Sequence, residues 1–171
     1  MGLRNPAFHR QYSVGILWMK HPDPDTARTE IKDITQKLRD ILRVRLLVCD
    51  DDLDQLVMIR ESVAKELENQ KMDLAVVLSS TGPDFIENVK RNNLGALIID
   101  INLGLDSGID IAEQLTAEGL INVPMIFISS VPPSDKDMRR IKLLGGQFFE
   151  KPIKQIEWCL IIEHMKEAMN G

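Results

Sequence analysis

The sequence predicts an α/β domain built on a doubly wound parallel sheet of five strands. Three observations carry that expectation. Apolar runs of strand length recur five times from Arg45 onward, longer segments of helical period separate them, and the runs are apolar at consecutive positions, as in strands buried on both faces. Strands of this kind, joined through helices, pair in parallel through right-handed crossovers with helices on both sides of the sheet.

The expected strands are Arg45 to Cys49, Ala75 to Ser79, Ala96 to Asp100, Met125 to Ser129 and Phe148 to Glu150. Each is followed by one apolar stripe at helical spacing: Leu56, Ile59, Val63 and Leu67; then Phe85, Ile86 and Val89; then Ile109, Ile111, Ala112 and Leu115; then Met138, Ile141 and Leu144; and finally Ile156, Leu160, Ile161 and Met165. Ahead of this body, Tyr12 to Met19 reads as an extra strand, and Pro24 with Asp25 as the start of a helix running to about Leu42. On that helix Ile31, Ile34, Leu38 and Ile41 recur at spacings of 3, 4 and 3, a two-heptad seam expected to be buried, either on its own domain or in a homodimer through this helix. The expected organisation is therefore an N-terminal extension over residues 1–44 and a main domain over 45–171.

The 171 residues suit one domain with a substantial core. The net charge of −5 divides unevenly: residues 1–44 carry eight Lys/Arg against five Asp/Glu, and the remainder carries thirteen against twenty-one. An acidic body lacks the basic face that neutralises phosphates, so direct nucleic-acid binding is not expected. No apolar run approaches the roughly 20 residues needed to span a bilayer, and Val14 to Met19 is too short for a secretory segment. Cys49 and Cys159 lie in apolar runs rather than in a paired spacing, and His9, His21 and His164 are scattered, which points to a reducing cytoplasm and no Cys/His metal site.

In doubly wound sheets ligands bind beyond the carboxyl ends of the strands. There the sequence places Asp50, Asp51 and Asp52 after the first strand, Asp100 at the end of the third, Ser129 and Ser130 at the fourth, and Lys151 with Pro152 after the fifth. Carboxylates converging from two strands repel one another and call for a cation, and an all-oxygen donor set suits Mg²⁺ rather than zinc. A carboxylate facing a metal, a lysine and a hydroxyl has the parts for phosphoryl transfer, with Asp100 as the nucleophile. Asp52 and Asp54 read as turn or cap residues, Cys49 as core, and Arg139 and Arg140 as a solvated helix face.

These residues resemble the receiver domain of two-component response regulators. The segments LLVCDDD, LIIDINLGLDSG, PMIFISS and FFEKPI follow one another in the family's order, with 29 residues from Asp100 to Ser129 and 22 from Ser129 to Lys151. The resemblance implies a flavodoxin-like (βα)5 sheet of order 2-1-3-4-5 and phosphorylation of Asp100 by a sensor histidine kinase or a histidine phosphotransfer protein. It implies Mg²⁺ held by Asp50, Asp51, Asp100 and the backbone carbonyl of Asn102, with Asp50 acting mainly through water and Asp52 outside the first shell. It further implies Ser129 as the switch hydroxyl, Lys151 as countercharge, Phe148 as the rotating aromatic, a cis Lys151-Pro152 bond, and output through an unknown downstream protein. Departures are Gly104 where the family usually has proline, with Gly108 still supplying the later glycine, Ser130 where it has Ala or Gly, and the pair Pro132-Pro133. Asn102 and Val131 fall at positions that tune dephosphorylation in the family. Two alternatives are a pseudo-receiver that keeps the fold as a binding module, and a haloacid-dehalogenase-type phosphatase using Asp50 and Asp52.

Overall fold

The computed structural model describes residues 23–170. The chain divides into two compact units, one ending at Leu42 and the other beginning at Arg43.

The described part of the first unit is a single helix, α1 (Pro24–Leu42). Its start is set by Asp23, whose carboxylate accepts the Asp25 and Thr26 N–H groups that a first turn leaves without partners. The bonds from Thr26, chiefly from its hydroxyl, hold the Asp23 carboxyl below the usual carboxylate range. The chain's own described residues do not bury the apolar stripe, which leaves the homodimer alternative. Ile31, Ile34 and Leu38 are 36%, 46% and 52% exposed. Spacing showed that the face is apolar, but among the described residues of this unit there is no second element to cover it. The side chain of Ile41 and the expected strand Tyr12 to Met19 lie outside the described residues.

The second unit runs β1 (Arg45–Cys49), α2 (Leu53–Asn69), β2 (Ala75–Ser79), α3 (Gly82–Arg91), β3 (Leu94–Asp100), β4 (Asn102–Leu103), β5 (Asp106–Ser107), α4 (Gly108–Ala117), β6 (Met125–Ser129), α5 (Asp135–Leu143), β7 (Gln147–Glu150) and α6 (Gln155–Asn170). The five long strands form one sheet of order β2-β1-β3-β6-β7, with every pair parallel. Counting only those five, the order is 2-1-3-4-5. The five strands and five helices predicted from Arg45 onward are all present. The structure adds a two-residue antiparallel hairpin, β4-β5, in the loop after β3.

The pleat explains why the central strands are apolar throughout. Leu46 and Val48 of β1, Ala96 and Ile98 of β3, and Ile126 and Ile128 of β6 face one core, where α2 and α6 contribute Leu56, Ile59, Trp158 and Ile161. Leu47 and Cys49, Leu97 and Ile99, and Met125 and Phe127 face the other, filled by Phe85 of α3, Ile109 and Leu115 of α4, and Ile141 of α5. At about 1.5 to 3 kcal/mol for each large aliphatic side chain removed from water, both layers hold the three central strands in place. The helices begin at side-chain caps: Asp52 for α2, Thr81 for α3, Ser107 for α4 and Ser134 for α5. Asp52, Thr81 and Ser134 lie a few residues past a strand and Ser107 ends β5, so the strand-end loops are short and pinned at both sides.

One sequence expectation on the helices is corrected. Arg140 is not a solvated residue: its guanidinium makes a bidentate pair with Glu113 at 2.8 and 2.6 Å, meets Asp137 at 3.2 Å, and also binds Asp110. It therefore ties α5 to α4. Hydrogen bonds to Glu113 and Asp110 raise its pKa, and the same bond from Arg140 holds the Glu113 carboxyl below its ordinary range. His164 is half-buried on α6, with Nδ1 3.1 Å from the Gln147 side-chain amide.

Candidate functional site

The carboxyl ends of β1, β3 and β7 deliver Asp50, Asp100 and Lys151 to one place. Asp50 is fully buried and Asp100 nearly so, and the Lys151 ammonium sits 2.6 Å from Asp50 Oδ2 and 2.7 Å from Asp100 Oδ2. The remaining oxygens are also engaged: Asp50 Oδ1 accepts the Asp52 N–H at 3.1 Å, and Asp100 Oδ1 accepts the Asn102 N–H at 3.2 Å. Two buried carboxylates sharing one ammonium carry a net negative charge, and the solvent-exposed Asp51 increases it. Each of the three aspartates offers an oxygen within 4.8 Å of the others.

Burial disfavours the charged form of Asp50, and the opposing bond from Lys151 does not fully compensate, so its pKa is raised. Burial alone would lower that of Lys151, but its bonds to Asp100 and Asp50 win and raise it, which keeps the amine cationic. The Cys49 thiol beneath the site is pushed up to about 12, chiefly by burial and then by Asp50, as befits a core residue. The Lys151-Pro152 peptide bond is cis.

A cavity of about 400 Å³ opens onto this cluster, walled by Asp50, Asp51, Asp52, Gln55, Asp100, Asn102, Gly104, Ser130 and Lys151. Its volume admits a tetrahedral oxyanion with a hydrated ion. Asp52 borders it, but its Oδ1 is occupied by the Asp54 and Gln55 N–H groups that start α2, the cap role expected from sequence. Gly104 turns the β4-β5 hairpin at φ +63°, a conformation that suits glycine and not the proline usual in the family. Gly108 closes the loop: its N–H bonds the Ile101 carbonyl at 2.9 Å, and a Cβ there would stand 2.0 Å from the carbonyl oxygen of Asp100.

The structure does not bring every expected residue into the cavity wall. Ser129 is fully buried behind it, with its hydroxyl oxygen accepting the Asn102 side-chain Nδ2–H at 2.9 Å and the Val131 N–H at 3.1 Å, while the neighbouring Ser130 faces the space. Phe148 is half-buried, beside Phe127 in the β6-β7 register and against the second core. Sequence reading missed Gln55 and the side-chain role of Asn102. Gln55 follows the cap residue by three positions and so points back over the first turn of α2, a signal that helix geometry supplies once Asp52 is taken as the cap.

Comparison with known proteins identifies the family and the fold. Residues 46–163 match the family model described as the response regulator receiver domain. Over 112 residues, 66% of the chain, the sequence is 30% identical to the response regulator protein TodT of Pseudomonas putida, and it spans 46% of that relative's length. In fold it is similar to a CheY-like response regulator receiver domain protein from Methanospirillum hungatei (TM-score 0.58, 18% identity, 75% of this chain and 94% of that one). It is likewise similar to a two-component response regulator from Clostridium difficile (TM-score 0.61, 15% identity, 75% of this chain and 100% of that one). With the strand order, the acidic cluster and the lysine already in place, the chain belongs to the response regulator receiver domain family of two-component systems.

Proposed function

We propose that the unit over residues 45–171 receives a phosphoryl group on Asp100 from a phosphohistidine, on a sensor histidine kinase or a histidine phosphotransfer protein, and passes the event on as altered binding of a downstream protein. Receiver domains are not general enzymes, and here the chemistry is confined to the domain's own modification and its reversal. The observation that carries the reading is the Lys151 ammonium held between Asp50 and Asp100 at the mouth of an acidic cavity.

The donor set of Asp50, Asp51, Asp100 and the Asn102 carbonyl is all oxygen and strongly anionic, which fits Mg²⁺. Bound there, the ion would supply positive charge to the phosphoryl oxygens in addition to that of Lys151. In the transfer, a carboxylate oxygen of Asp100 forms a bond to phosphorus as the bond from phosphorus to the donor's imidazole nitrogen breaks, and the imidazole leaves with the electron pair. Lys151 offers its charge to an equatorial oxygen, and Ser129 offers its hydroxyl once the acyl phosphate has formed. Phe148 repacks with that movement. The pseudo-receiver reading would leave the lysine and three aspartates without a use, and the phosphatase reading would require Asp52 to leave its cap.

Residues 1–44 are a separate extension in this proposal, with α1 as a surface for a second copy of the chain. No helix among the described residues is long and apolar enough to cross a membrane, which agrees with a cytoplasmic setting. The deciding experiment is intact-mass measurement after incubation with acetyl phosphate and Mg²⁺. One added phosphoryl group is expected, absent in Asp100→Asn and absent without the metal; full labelling of Asp100→Asn would overturn the assignment.

A further inference from the structure

Ser129 Oγ is fully buried and accepts two hydrogen bonds, from the Val131 N–H at 3.1 Å and from the Asn102 side-chain amide at 2.9 Å. A hydroxyl oxygen has two acceptor positions and one proton to donate. Both acceptor positions are filled. The Val131 bond is local, two residues along the same loop, and fixes only the start of the segment after β6. The Asn102 bond spans 27 residues and crosses from the hairpin after β3 to the end of β6.

Asn102 also touches the neighbouring carboxylate. Its backbone N–H donates to Asp100 Oδ1 at 3.2 Å, so one residue contacts the acceptor side chain through its main chain and the buried hydroxyl through its side chain. The two contacts respond differently when Asp100 gains a phosphoryl group. The main chain of β4 is held by pairing with β5 and stays. The Ser129 hydroxyl then has an ionised acceptor to donate to, and a hydrogen bond to an ionised acceptor is about twice as strong as one between neutral groups, so the hydroxyl is drawn toward the phosphoryl oxygens. To move, it must leave the Asn102 amide, which lies at an exposed residue and passes to water. The Asn102 bond is therefore made only in the resting state.

We infer that the Asn102 side-chain amide latches the Ser129 hydroxyl in the resting protein, as a positioning residue whose release couples phosphorylation of Asp100 to movement of the segment after β6. The inference rests on the phosphoacceptor reading above and adds to it the residue that sets the resting state. A net neutral hydrogen bond is worth a factor of about 2 to 10 in an equilibrium constant, which is the size of bias the latch imposes.

The test compares the full chain with Asn102→Ala, Ser129→Ala and the double variant by amide NMR, first alone and then titrated with beryllofluoride and Mg²⁺. Asn102 is exposed apart from this contact, and the backbone groups facing Asp100 are retained in the alanine variant. Without any ligand, Asn102→Ala should shift the Ser129 and Val131 amide resonances toward their positions in the beryllofluoride-bound wild type. It should also lower the half-saturating beryllofluoride concentration by about 2- to 10-fold. In the Ser129→Ala background the same substitution should leave that concentration unchanged, because the partner is gone. Unmoved resonances in the ligand-free variant, or an equal fold-change in both backgrounds, would overturn the latch. A wild type that does not respond to beryllofluoride at all would count against the phosphoacceptor reading instead, and the ligand-free spectra would still decide whether Asn102 restrains Ser129.

Discussion

Replacing Lys151 with methionine removes the charge while keeping most of the stem's volume. The ammonium is 7% exposed and bonded to Asp50 and Asp100, whose side chains are 0% and 8% exposed. Its loss leaves two desolvated carboxylates facing each other. With oxygens within 4.8 Å of one another and an effective dielectric of about 20, their repulsion is at least about 3.5 kcal/mol. Removal of one partner from a buried ion pair gives a similar range, about 3 to 5 kcal/mol. Lys151→Met should therefore lose about 3 to 5 kcal/mol of stability at neutral pH, read by urea unfolding with far-UV circular dichroism. The pH dependence has a definite sign. Asp50 already has a raised pKa through burial, and without its partner the rise grows; an acid that binds its proton more tightly when folded loses stability as pH rises through its range. The deficit should shrink toward pH 4 and widen toward pH 7. Mg²⁺ at 100 times its dissociation constant should return about 2.7 kcal/mol to the variant, since it binds only the folded cluster. A deficit under about 1 kcal/mol with no pH dependence would refute the argument that Lys151 is what makes this acidic cluster tolerable.

Asp51→Asn, at an exposed position, should change stability by less than about 0.5 kcal/mol while weakening Mg²⁺ binding measured by calorimetry. Gly108→Ala should cost at least about 1 to 3 kcal/mol, because its Cβ would collide with the Asp100 carbonyl, and acetyl phosphate labelling should slow with it. Arg140→Met should lower the melting temperature at neutral pH and leave it unchanged in acid: the Glu113 carboxyl is held down in the folded state, so its contribution is present above its unfolded pKa of about 4.3 and disappears as pH falls through the folded value. Ile34→Asp should convert any dimer seen by sedimentation to monomer, and a dimer that persists would remove α1 from the interface.

The fold was legible because strands apolar on both faces leave few arrangements, and the site because strand ends are where such sheets gather ligands. Asp50 and Asp100 each end a run whose burial the sequence already shows, and Lys151 follows a shorter run in which only Phe148 and Phe149 are half-buried. What could not be read depended on distances across the fold. Arg140 looks solvated in a string of charges, since Asp110 and Glu113 lie 30 and 27 residues away and become its neighbours only when α4 and α5 pack. The β4-β5 hairpin is too short for any periodicity, and with it went the side-chain contact of Asn102. The stripe on α1 was legible only as a pattern: spacing identifies an apolar face without identifying what lies over it.

The position of each strand in the sheet gives the site an asymmetry. Asp50 and Asp100 end strands flanked on both sides and gripped from both layers, whereas Lys151 follows β7, an edge strand of four residues paired only with β6 and half-open to solvent. Fraying of that edge, including the Lys151 N–H bond to the Ser129 carbonyl at 2.9 Å, would withdraw the ammonium while the carboxylates stay fixed. On this arrangement the anionic half is the better held, and an edge opening, cheaper than global unfolding, would shift the cluster's charge balance. Hydrogen exchange should place Leu47 and Ile98 among the slowest amides of the domain and Phe148 well above them.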